Sequence, residues 1–221
     1  MKKLCIIGGM GPLASCEFNR RIIEKSPANS DQEHIETLLI SDNLMPDRTQ
    51  AILSGDDAEL LKRFESHFKL GESWGADFFA IPCNTSHYFM KNFNEMTDKK
   101  ILNMVDLAVK DAGDNICVLA TNGTYKTGIY RKAIKDANKN LVELTEDEKN
   151  LSMKTIYDIK SGVIPDIDNF KEFKAMIDEK LKSGAKILLA CTELSLIKFD
   201  NENIIDAMDS LVNAVIHEAY D

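Results

Sequence analysis

The chain has no Cys-x-x-Cys pair, no excess of positive charge, and no apolar run approaching the roughly 20 residues that cross a bilayer. Each absence removes a class of function. Five cysteines, Cys5, Cys16, Cys83, Cys117 and Cys191, are odd in number and widely spaced, which argues against a disulfide framework and against a zinc site. His34, His67, His87 and His217 show no metal-ligand spacing, so no metal is expected. A formal net charge of -9 opposes long-range encounter with nucleic acid or an anionic membrane, although a few local cations can still hold a small anion. The amino-terminal apolar run breaks at Gly8-Gly9-Met10-Gly11-Pro12 before a signal-peptide core forms, and a reducing, cytoplasmic setting is expected.

What is present is ordinary globular composition, 44% apolar and 29% charged over 221 residues. "KLCIIGG" reads as a strand buried on both faces. Pro12 then opens a helix with apolar positions Leu13, Phe18, Ile22 and Ile23. "IETLLISD" reads as a second strand and "NLMPDRT" as a loop. Leu60, Leu61, Phe64, Phe68 and Trp74 form a helical stripe closed by Gly75, before a strand over Phe78 to Pro82. Alternating strands and helices predict an α/β fold with parallel sheets.

The second half echoes the first. Cys117 follows Cys5 by 112 positions and Cys191 follows Cys83 by 108, each pair sitting in similar strand-then-loop segments. Two pseudo-symmetric α/β domains, each a mostly parallel sheet flanked by helices, are therefore expected to face one another across a cleft. The expected units are residues 1–98 and 99–202, with a C-terminal helix over 203–221, including Ile204 and Ile205, packing back on the first.

Cys5, Cys16 and Cys117 read as small apolar fillers. Cys83 and Cys191 differ, because both fall at strand carboxyl ends, where open parallel sheets bind ligands. Asn84, Thr85 or Thr192 would cap a following helix whose N-terminus lowers a thiol pKa. Two facing thiols suit two-base proton transfer, one removing a proton from carbon and the other returning one to the opposite face. Arg48, and Lys160 at 112 positions beyond it, supply one cation per half for two carboxylates, or else are solvated charges. Glu193 either polarises the Cys191 site or occupies a helix first turn. Thr121, Asn122, Thr124 and Thr127 are site hydroxyls and an amide, or turn chemistry. The four histidines read as ordinary residues, and His87, four residues after Cys83, is the only plausible thiol partner among them. Gly9-x-Gly11-x-x-Ala14 formally matches a dinucleotide fingerprint, but Pro12 removes a donor there, which favours a tight turn or a substrate-lining nest around Met10.

The segments "GGMGPLAS", "DQEHI", "MPDRT", "IPCNTSHYF", "LATNGTYKTGIY", "IYDIKSG" and "CTELSLI", in this order along nearly the whole chain, resemble the aspartate/glutamate racemase family. The resemblance implies paired domains, an interdomain site, usually a homodimer, and interconversion of L- and D-amino acids without pyridoxal phosphate, metal or other cofactor. It implies catalytic roles for Cys83 and Cys191, carboxylate binding by Arg48 and Lys160, and a lining of Asn84, Thr85, Thr124 and Thr192. Aspartate is the expected substrate, with a glutamate-preferring or broad-specificity racemase as alternative. Two other readings compete: a single-cysteine isomerase or decarboxylase, and a module that binds a small diacid without turnover.

Overall fold

The computed structural model describes residues 1–221. Strands β1 (Leu4–Gly8), β2 (Thr37–Ser41), β3 (Phe78–Ala80) and β4 (Lys100–Ile101) form one parallel sheet in the order β2-β1-β3-β4. Strands β5 (Asn115–Ala120), β6 (Asn140–Val142), β7 (Lys186–Ala190) and β8 (Ile204–Asp206) form a second in the order β6-β5-β7-β8. The strand orders are the same, so β1 corresponds to β5 and β3 to β7.

Helices α1 (Pro12–Lys25), α2 (Arg48–Ser54), α3 (Ala58–Trp74), α4 (Met90–Met96) and α5 (Met104–Asp111) accompany the first sheet and its exit. Helices α6 (Asn122–Thr127), α7 (Ile129–Asp136), α8 (Glu146–Lys160), α9 (Lys171–Lys182) and α10 (Ala207–Tyr220) follow. Local sequence sets their ends. Pro12 opens α1, where its missing N–H costs nothing. Gly75 closes α3 at φ 93°, a conformation that a Cβ would strain. Thr145 and Glu148 form a reciprocal capping box on α8.

Three differences from the sequence expectation have clear causes. Helix α1 buries Ala14, Ser15, Phe18 and Ile22, whereas Leu13 and Ile23 stand 62% and 48% exposed, so the buried stripe is shifted around the helix. Ile204 and Ile205 lie in β8, paired with β7, because β-branched residues beside an open sheet edge gain a ladder that a helix start would forgo. Strand β4 pairs with β3 beyond residue 98, and the first sheet therefore runs past the expected boundary. Helix α10 packs on α1 and on α5.

The largest apolar cluster lies between the sheets. It joins Leu4 and Ile6 of β1 and Phe18 and Ile22 of α1 to Ile116 and Val118 of β5, Leu188 of β7, Tyr130 of α7 and Met208, Leu211 and Val215 of α10. Fully burying each such side chain is worth about 1.5–3 kcal/mol, so this shared cluster fixes how the halves sit against one another. Each sheet covers its other face separately. In the first half Phe64, Phe68, Phe79 and Phe93 interlock there, with Phe64 and Phe93 centroids 4.4 Å apart and Phe68 edge-on to Phe79.

Above this core the halves also meet at α2 and α6. A Cβ on Gly123 would lie 2.5 Å from Thr49 Oγ1 and 3.0 Å from Thr49 Cα, so only glycine permits that approach. Gly123→Ala is expected to cost about 1–3 kcal/mol through overpacking. Urea denaturation measures it, and an unchanged midpoint would contradict the close approach.

Candidate active site

Equivalent strands deliver the two thiols. Strand β3 runs out through Ile81 and Pro82 to Cys83, and β7 ends directly at Cys191; each is 6% exposed. Neither is followed by the expected α-helix. Short 3-10 turns, Thr85–Phe89 and Leu194–Leu196, come next, and Asn84, Thr85 and Thr192 make no side-chain caps there. Each cysteine is followed by a polar pair that bends the chain before a regular helix can start, so no full helix dipole faces either sulfur.

The surroundings of the two thiols differ. Cys191 Sγ donates to Glu193 Oε2 at 3.0 Å. Burial, and then the Glu193 carboxylate, push the Cys191 thiol well above its ordinary value, with Lys160 acting in the opposite sense. At the matching position two residues beyond Cys83 stands Thr85, a neutral hydroxyl. His87, read as an ordinary histidine and the only candidate for a thiol partner, grips the backbone: its Nδ1 donates to the Cys83 carbonyl at 2.9 Å, and its Nε2 accepts from Met104 N–H at 3.1 Å. The Met104 donor selects that tautomer, and burial holds His87 below the usual imidazole value.

Among the remaining cysteines, burial pushes Cys5 and Cys117 up to about 12, as inert fillers. Cys16 is exposed, unlike the expected filler, because it lies on the outer face of α1.

The two cations are also unequal. Arg48 is the first residue of α2, not part of a loop, because Asp47 caps that helix by accepting from Gln50 N–H at 2.8 Å. Its Nη1 donates to Pro46 O at 3.0 Å and Met45 O at 3.5 Å, and its Nη2 to Met10 O at 3.5 Å. No carboxylate pairs with it, and its buried Nε has no partner. Lys160 closes α8 with Nζ 3.7 Å from Glu193 Oε1 and its side chain 31% exposed. Burial, the largest single influence, opposes its charge, but the Glu193 carboxylate together with the two cysteines keeps the ammonium above the ordinary lysine value. Glu193 thus touches both Cys191 and Lys160, which favours the polarising alternative over a helix first turn.

Asn84 carries a second unpartnered donor. Its Oδ1 accepts from the Tyr130 hydroxyl, and its buried Nδ2 has no partner. An unmet buried donor costs about 1–3 kcal/mol. Arg48 Nε and Asn84 Nδ2 are two of three such side-chain atoms in the molecule, and both belong to residues of one cleft.

The cleft is walled by Met10, Asp47, Arg48, Thr49, Cys83, Asn84 and Thr85 from the first half and by Thr121, Lys160, Cys191, Thr192 and Glu193 from the second. Thr124 stands behind this wall, its hydroxyl 2.9 Å from that of Thr85 and 3.1 Å from that of Thr121. Thr127 Oγ1 donates to Thr124 O, a turn contact. Sequence reasoning passed over Asp47 and Thr49, although both flank Arg48 inside "MPDRT". In the glycine loop Gly9 N–H donates to Ser15 Oγ at 2.9 Å, and that hydroxyl donates to Gly11 O at 2.8 Å. The loop is closed on itself, and its first N–H is not free for a phosphate. No group of three or more His, Cys, Asp or Glu side chains is placed to hold a metal ion. Two strand-end thiols, one from each half, therefore share a narrow cleft with a guanidinium that has no counter-ion and an amide nitrogen that has no partner.

Known proteins share this architecture. The chain is 31% identical to Picrophilus torridus aspartate racemase, with a TM-score of 0.81 over 99% of this chain and 94% of that one. Glutamate racemase isoform RacE1 from Bacillus anthracis shares the fold at 13% identity and a TM-score of 0.62, over 98% and 81% of the two chains. The broad-specificity amino-acid racemase RacX of Bacillus subtilis (strain 168) is 23% identical over 216 residues, 93% of this chain and 91% of its own. With the profile of the Asp/Glu/hydantoin racemases matching residues 7–215, the chain belongs to that family of isomerases.

Proposed function

We propose that this protein interconverts L- and D-aspartate by proton transfer between two cysteines at the α-carbon, with no cofactor. The observation that carries the reading is the pair of buried thiols at equivalent strand ends, one from each half, in a cleft that also holds an uncompensated cation. A dicarboxylate supplies the acceptors that Arg48 Nε and Asn84 Nδ2 lack. The 31% identity to an aspartate racemase favours aspartate; the likeness to RacX keeps a broader amino-acid range as the second reading.

The chemistry needs one thiolate and one thiol at a time. In one direction Cys83 is the base, and Cys191, hydrogen-bonded to Glu193, is the thiol that returns a proton. Cys83 removes the α-proton from one face, and the electron pair left on carbon delocalises into the α-carboxylate. Cys191 then donates its proton to the opposite face, leaving Cys83 as thiol and Cys191 as thiolate. The reverse direction starts from that second form. Negative charge grows on the α-carboxylate during the transfer, where donors from Arg48 and Asn84 strengthen. Asp47 is the wall carboxylate free of cations and is suited to the substrate ammonium.

Two predictions follow from these roles. Cys83→Ala and Cys191→Ala are each expected to lower racemisation by about 10²–10⁴-fold, read by chiral chromatography of the aspartate product. Near-full turnover by either variant would favour the single-cysteine reading. Glu193→Gln is expected to move the Cys191 thiol down towards its ordinary value, because the carboxylate that raises it is gone. Thiolate ultraviolet absorbance against pH, in a Cys83→Ala background, reads this, and a titration left in place would contradict the assigned cause. Since the enantiomers have equal free energy, kcat/KM must match in both directions at every pH. Any asymmetry between the thiols therefore has to emerge in kcat and KM separately.

A further inference from the structure

We propose that Tyr130 is a positioning residue for this reaction: its hydroxyl, reaching from the second half, fixes the Asn84 side chain so that Nδ2 faces the substrate. The proposal rests on the function stated above and names a residue outside the cleft wall.

Gly128, in the left-handed region at φ 65°, turns the chain between α6 and α7 and sets Tyr130 into the apolar cluster between the sheets, 3% exposed. From there its hydroxyl donates to Asn84 Oδ1, across the boundary between the halves. Asn84 directly follows Cys83 and is itself 3% exposed. A primary amide can rotate to exchange its oxygen and nitrogen, and only its neighbours choose between the two. The Tyr130 hydroxyl has no other acceptor. With the amide reversed, the phenol proton would lose its partner inside an apolar core, and a carbonyl oxygen would face a substrate carboxylate.

Burial keeps the Tyr130 hydroxyl well above the ordinary phenol value, so it remains a donor throughout the working pH range. The lock is therefore unaffected by the protons that the cysteines exchange with the α-carbon. Because it spans both halves, it also ties the orientation of Asn84 to their mutual closure.

The test is a double-mutant cycle on kcat/KM for aspartate with Tyr130→Phe, Asn84→Ala and the double variant. Tyr130→Phe is expected to lose about tenfold or more, the scale of one hydrogen bond to a charged group, and to lose nothing further once Asn84 is alanine. An equal loss in both backgrounds, or no loss in either, overturns the proposal, because a structural role of the ring does not depend on Asn84. Should Tyr130→Phe fail to fold, Asn84→Asp provides the second arm. With Tyr130 taking one carboxylate oxygen and the other turned towards the substrate, Asp is expected to be more damaging than Ala; a loss no larger than that of Ala overturns the orientation. If the wild type racemises no amino acid, the same proteins are titrated with succinate by calorimetry. The same pattern in Kd then retains the Tyr130 role while the racemase reading falls, and wild-type protein that neither turns over nor binds succinate overturns both.

Discussion

The guanidinium of Arg48 is held in an interdomain cleft by main-chain carbonyls alone, with a buried Nε that has nothing to bond. A folded chain does not keep that arrangement for stability, since every unmet buried donor works against folding. Much of the nearby structure serves to maintain it. Asp47 caps α2 and sets Arg48 in the first turn. Ser15 pins the glycine loop that offers the Met10 carbonyl. Gly123 lets α6 approach α2 closely enough to enclose the site. The unmet donor of Asn84, on the same wall, stands as a second unpartnered group in that cleft.

Around that cleft the two halves are alike in backbone and unlike in charge. Strands β3 and β7 occupy equivalent places in sheets of the same order and end in cysteines. Two residues further on, one half has Thr85 and the other Glu193. Thr85 joins the Thr121 and Thr124 hydroxyls at 3.0 and 2.9 Å and adds no charge. Glu193 engages both Cys191 and Lys160 and leaves Arg48 as the cation without a counter-ion. A duplicated scaffold supplies two strand-end thiols, and one unduplicated carboxylate, Glu193, sets the surroundings of Cys191 apart from those of Cys83.

Much of this was legible in the sequence because it lives in period and punctuation. Apolar runs ending in glycine marked β1, Gly75 marked the end of α3, and the recurrence of Cys83 at Cys191 marked the duplication. Contacts between halves left no such trace. His87 looked like a thiol partner from its spacing, yet the Met104 N–H, from a helix 17 residues away, commits it to the backbone. Arg48 fell in "NLMPDRT", which read as a loop, whereas the Asp47 cap starts a helix there. Ile204 and Ile205 fitted a helical stripe, but an open edge of β7 recruited them as a strand. Asp47 and Thr49 lay inside a segment already singled out and were passed over for the neighbouring charge.

The central claim is that a proton leaves the α-carbon on one face and another arrives on the opposite face, which solvent isotope reads directly. Reduced wild-type protein is incubated with L-aspartate in deuterated water, and the α-position is followed by NMR alongside chiral separation of the product. Incoming D-aspartate that carries deuterium at the α-carbon, while the residual L-aspartate stays largely protonated early in the reaction, is the predicted result, because each base handles its own proton. Folded, reduced protein that leaves every α-proton of both enantiomers in place contradicts the account.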